Sequence, residues 1–203
     1  MVREISASPA CGLFQPLNQR AMCRQRVPLL AIVALLALAS AGGLAQESPR
    51  FSGAWTLDPE QSDDIDAKIN ASIAGMNFVV RQVARSRLRT TNVPYPRLIF
   101  SFDENVSVDM PGYPSVSSPA NGQPVFWHRR TGRPCTEMRD ACVVVTTTWE
   151  DQALVQTFRS EDGQRQNVFT VSPDGTRLTM VATMTSPRLS APLVYRLVYT
   201  RSP

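Results

Sequence analysis

Apolar positions recur every second residue over most of the chain beyond Pro94 and Pro96. RLIFSFDEN sets Leu98, Phe100 and Phe102 on one face, and VSVDM does the same with Val106, Val108 and Met110. PVFWHRR, ACVVVTTTWED, ALVQTF, NVFTV, RLTMVATM and PLVYRLVYTR read as further strands, divided by turn signals at Glu161-Asp162-Gly163, Ser172-Pro173-Asp174-Gly175 and Ser186-Pro187. An earlier alternating run, RFSGAWTLDP, places Phe51, Gly53, Trp55 and Leu57 on one parity. The Pro-, Ser- and Gly-rich residues 110–124 read as a long loop.

Between the first strand and the rest the period changes. Ile65, Ile69, Ile73, Met76, Val80 and Val83 recur at steps of three and four behind the acidic cluster Asp63, Asp64 and Asp66. This predicts a helix over about residues 64–88, or two helices broken near Gly75-Met76-Asn77, with carboxylates at the favourable N-terminal end. Arg81, Arg85, Arg87 and Arg89 crowd its far end; a solvated helix end is the expectation, and a basic patch for anionic lipid or an acidic partner is the alternative. Short strands at regular spacing suit a sandwich or a closed barrel. The early helix and the all-strand ending narrow this to a mainly β fold: an antiparallel up-and-down β-barrel of about eight to ten strands, with a helix or helix pair inserted between the first two.

Upstream, Arg24 and Arg26 precede an uncharged apolar run over residues 27–39 and then small residues, the order of a secretory signal peptide. The run is shorter than the roughly 20 residues of a membrane span. Residues 1–45 are therefore expected to be removed, with cleavage after Ala45 favoured over Ala41, and Met22 is an alternative start that would make 1–21 an extension. The mature single domain, 46–203, is expected to be soluble, periplasmic or secreted, without stable membrane insertion. It keeps 17 of the 21 basic and 16 of the 17 acidic residues, a net charge of +1, which removes the electrostatic case for nucleic acid.

Only Cys135 and Cys142 of the four cysteines lie in the mature chain. In an oxidising compartment they predict a disulfide, worth about 2.5 kcal/mol for a loop this short. The sole histidine, His128, reads as a barrel-rim residue; there is no Gly-x-Ser-x-Gly elbow and no metal-ligand spacing, so no catalytic residues, metal or cofactor are expected. Asp58, Glu60, Ser62, Asp64 and Asp66 alternate like a calcium loop but lack its turn glycine and closing glutamate.

Gly53-Ala54-Trp55 in the first strand and Tyr199-Thr200-Arg201 in the last resemble the calycin superfamily, the lipocalins and fatty-acid-binding proteins, as an exported bacterial member. The early helices resemble the fatty-acid-binding branch more closely. The resemblance implies that Gly53, Trp55 and Arg201 close one barrel end, the guanidinium lying on the indole. It also implies an inward Arg two residues before the last-strand Tyr as a carboxylate clamp, but Leu197 stands there, so an apolar or neutral ligand is expected. Phe100, Phe102, Val108, Met180, Met184, Leu197 and Tyr199 are the candidate ligand contacts, with a packed core as the alternative use of the same face. Two functions follow: an exported barrel for a small hydrophobic molecule, or a non-catalytic scaffold or inhibitor that meets a protein partner through its loops. An integral outer-membrane barrel is disfavoured by the helix, the short strands and the Arg-Ser-Pro ending.

Overall fold

The computed structural model describes residues 50–138 and 141–202; the expected signal segment, 1–45, lies outside them. The described elements are β1 (Gly53–Asp58), α1 (Ile65–Ser72), α2 (Phe78–Thr91), β2 (Arg97–Phe102), β3 (Val106–Asp109), β4 (Val116–Ser118), β5 (Val125–His128), β6 (Cys142–Glu150), β7 (Ala153–Ser160), β8 (Gly163–Val171), β9 (Arg177–Thr185) and β10 (Leu193–Arg201). They form one sheet in the order β4-β3-β2-β1-β10-β9-β8-β7-β6-β5, in which β1 pairs antiparallel with both β2 and β10. The two edges approach each other, so the barrel is nearly closed. Ser118 on β4 and Thr147 on β6 share a hydroxyl–hydroxyl bond of 2.5 Å, and the Gly122 amide donates to the Thr147 carbonyl at 2.9 Å.

Strand β4 falls inside the segment expected to be a loop. Its three residues carry a weak alternating signal among prolines, and what fixes them is pairing: Val108 opposite Val116 and Val106 opposite Ser118, with Val116 and Ser118 buried. The turn between β7 and β8 needs its glycine, because Gly163 has φ +152° and a Cβ there would run into the Thr185 carbonyl.

The helical segment is broken, at residues 73–77. The Asp64 carboxylate accepts from the Asp66 and Ala67 amides and caps α1, and Asn77 caps α2 through the Val80 amide. The apolar stripe does not run through both helices. Ile65, Ile69 and Ile73 are buried, but the break turns α2 so that Leu88 faces the barrel, leaving Val80 and Val83 about half exposed and Phe78 and Val79 71% exposed. Three arginines of the expected basic patch stitch the pair together: Arg81 donates to the Ala74 and Met76 carbonyls, Arg85 to Asn70, and Arg89 forms a two-pronged pair with Asp66 at 2.8 and 3.0 Å.

Cys135 and Cys142 are joined in a disulfide that ties the β5–β6 connection to the start of β6. In the middle of the sheet, β1 and β10 place Trp55 opposite Arg201. The Trp55 side chain is fully buried, its Nε1 donates to the Phe51 carbonyl at 2.8 Å, and the Arg201 guanidinium lies 4.3 Å from the indole centroid. Arg201 also donates to the carbonyls of Ser52 and Gly175 at 2.9 Å each and to that of Arg50. Gly53 has φ +106°, a conformation that favours glycine, and a Cβ there would be in ordinary contact with Arg201 Nη1 at 3.6 Å. Trp55→Ala is expected to destabilise the barrel by about 3–5 kcal/mol and Arg201→Ala by less. In urea denaturation the double variant should lose less than the two single losses added together, because they share one interaction; strict additivity would contradict the contact.

Candidate functional site

Strand register sorts the inward side chains of β6 to β10 into tiers. One tier, Trp149, Leu154, Phe169, Met180 and Leu197, is apolar throughout. The next, two residues along each strand, is Thr147, Gln156, Asn167, Ala182 and Tyr195. The third is Val145, Phe158, Arg165, Met184 and Leu193. The barrel is thus lined by an apolar layer, a polar layer, and an apolar layer that holds one arginine.

The sequence-expected ligand residues all face inward and share one hydrophobic cluster. They do not share one environment. Phe100, Val108, Met180, Leu197 and Tyr199 expose 2% of their surface or less, so their side chains are packed against protein atoms. Phe100 meets Phe169 edge-on at 5.2 Å, and Phe51 meets Trp149 likewise at 5.3 Å, filling the region above Trp55. Phe102 and Met184 are only half buried. Met184 sits in the third tier beside the half-buried Phe158 and Arg165, and Val125 and Trp127 on β5 are half buried alongside Phe158. Trp127 and Phe158 rings lie 6.0 Å apart.

Arg165 is the feature that sequence reading missed. Its signal was its parity: it lies two and four residues before the inward Asn167 and Phe169, within a strand that begins at Gly163 rather than at Asn167. Apart from Arg201, which caps the closed end, it is the one charged residue at an inward register position among the described strands. Its Nε donates to Asn167 Oδ1 at 2.9 Å, its Nη1 to the Thr91 carbonyl at 3.2 Å and its Nη2 to the Tyr195 hydroxyl at 3.0 Å. The Tyr195 hydroxyl donates in turn to Asn92 Oδ1 at 3.3 Å, and Asn92 Nδ2 reaches the Leu88 carbonyl at 2.9 Å. This network fastens the C-terminal end of α2 over the third tier, which makes that end of the barrel its helix-covered mouth.

Burial pushes the Tyr195 hydroxyl above the usual phenol range, with Arg165 opposing, and burial pushes Tyr199 up as well, reinforced by Tyr195. Both are therefore protonated donors at neutral pH. The acidic run after β1 serves as caps and pairs: Asp58 accepts from the Glu60 and Gln61 amides, Asp64 caps α1, Asp66 holds Arg89, and Asp63 holds Lys68 and the Arg196 amide. Asp63, Asp64 and Asp66, with Leu57, Pro94 and Leu197, border a surface cleft of about 560 Å³ between the start of α1 and the end of α2. His128 accepts from the Arg130 amide at the end of β5.

No protein-family model and no curated protein matches the chain. Among solved structures it is similar to a fatty-acid-binding protein of Echinococcus granulosus, at 14% identity over 76% of this chain and 99% of that one, TM-score 0.46. It is similar too to a Schistosoma mansoni fatty acid binding protein in complex with arachidonic acid, at 18% identity over 77% and 99%, TM-score 0.46. A zebrafish ileal bile acid-binding protein complexed with cholic acid aligns at 11% identity over 75% and 99%, TM-score 0.44. The fold itself is a nearly closed antiparallel barrel of ten strands with a helix pair between β1 and β2.

If the Arg165–Tyr195–Asn92 network secures α2, Tyr195→Phe leaves a guanidinium donor and an amide oxygen unmet. The expected loss is about 1–3 kcal/mol in urea denaturation, together with faster amide exchange over residues 88–92. Unchanged exchange there would contradict the anchoring role.

Proposed function

We propose that this chain is an exported, non-catalytic barrel that binds a small hydrophobic molecule at its helix-covered end. The observation that carries the reading is the half burial of Val125, Trp127, Phe158 and Met184 in and beside the mouth tier, whereas in the floor tier Leu154, Phe169, Met180 and Leu197 are sealed and only Trp149, with Phe102 stacked on it, keeps part of its surface free. Half-buried inward aromatics and a methionine are the lining of a pocket that adapts to an apolar guest. Of the expected contacts, Met184 is assigned to the ligand, and Phe100, Val108, Met180, Leu197 and Tyr199 form the packed floor beneath it. Export to the periplasm or medium is supported by the basic, apolar and small-residue order of residues 1–45 and by the disulfide.

A second reading, a scaffold for a protein partner, is favoured by the filled lower tiers and by Phe78 and Val79, which stand 71% exposed at the start of α2. The two readings separate on one titration. The neutral dye Nile red should bind the mature protein at a single saturable site, and Phe158→Asp should weaken it about ten-fold or more, as expected from loss of one aromatic contact. Dye binding that ignores Phe158→Asp but falls with Phe78→Ser would support the scaffold instead.

A further inference from the structure

Gln156 sits at the centre of the polar tier, flanked in register by Thr147 and Asn167. It is 1% exposed, and its Nε2 has no hydrogen-bond partner in the protein. Its neighbours are not in the same position: Thr147 bonds Ser118, and Asn167 accepts from Arg165. A buried amide donor without an acceptor is unfavourable, so a tier of this kind is stabilised by an oxygen brought to it. The Tyr199 hydroxyl, also buried, is a second donor in the interior without a partner. The side chains that stand between Gln156 and the mouth in register are Phe158 and Arg165, with Met184 next to Arg165, and all three are half buried. Arg165 has neutral acceptors on each of its three bonds.

We propose that the polar tier is a recognition site for an oxygen acceptor carried by an otherwise apolar ligand, a ketone, ester or carboxylate oxygen accepting from Gln156 Nε2, with Arg165 beside it one tier nearer the mouth. This rests on the hydrophobic-binding reading above and names the class of molecule. It also orients the ligand: its oxygen lies at the polar tier and mouth, whereas the tier of Phe169, Met180 and Leu197 below offers no polar side chain other than the indole of Trp149.

Three probes of one skeleton test it by displacement of bound Nile red: 2-ethylnaphthalene, with no oxygen, 2-acetylnaphthalene, with a neutral carbonyl, and 2-naphthoate, with a carboxylate. In the wild-type protein the two oxygen-bearing probes should displace the dye at concentrations about five- to ten-fold lower than 2-ethylnaphthalene. Gln156→Leu should erase the advantage of 2-acetylnaphthalene and leave 2-ethylnaphthalene unchanged, and Arg165→Met should weaken 2-naphthoate alone. Equal displacement by all three probes in the wild-type protein, a comparison that requires no variant to fold, would overturn the proposal and leave apolar binding standing, the donor then serving a water molecule. Absence of Nile red binding, with no heat on calorimetric titration of 2-acetylnaphthalene, would overturn both.

Discussion

The pairing of β1 with β10 sets Trp55 against Arg201, residues from opposite ends of the domain, and the indole is buried as the guanidinium covers it. Joining the first and last strands of the chain unites β1–β4 and β5–β10 in one sheet, which the contact of β4 with β6 then brings nearly to closure. Arg201 adds three backbone carbonyls to the contact, so the closed end is sealed by hydrogen bonds as well as by stacking. The aromatic floor of Phe51, Phe100, Phe169 and Trp149 builds on that seal.

Because strand pairing fixes side chains in rows, closure at one end grades the whole interior. Above the floor comes a polar row and then a mouth row, and each change of character occurs at the same level on several strands at once. That coherence gives the interior a direction. While α1 buries Ile65 and Ile69 in the core, α2 is held to the mouth by few buried contacts, Leu88 being its only buried residue apart from its cap, and by the hydrogen bonds through Arg165, Tyr195 and Asn92. Elements fastened this lightly open at low free energy, which suits the end through which a guest would pass.

Much of this was legible in the sequence because period-two alternation survives wherever one strand face is buried. Leu98-Ile99-Phe100 and the run from Leu193 to Tyr199 announce themselves, and so does the three-to-four spacing of Ile65, Ile69 and Ile73. Three features were not legible. Strand β4 is too short and too rich in serine to show a period, and it exists because β3 and Thr147 pair with it. Val80 and Val83 continue the helical stripe in sequence but not in space, since the break before Asn77 rotates α2. Gln164-Arg165-Gln166 lacks any apolar contrast, so the inward turn of Arg165 is visible only once β7 and β9 fix the register of β8. A polar residue facing inward breaks the pattern by which inward residues are found, and the polar tier, with its unmet Gln156 donor, escaped for the same reason.

The central claim is that the barrel is packed at one end and receptive at the other, and the two methionines of β9 report on it separately. Met180 is 1% exposed in the floor tier, and Met184 is half buried in the mouth tier. With ¹³C-labelled methionine methyl groups, titration with 2-acetylnaphthalene should move or broaden the Met184 resonance and leave Met180 in place. A shift at Met180 with Met184 unmoved would place the guest in the floor and contradict the account.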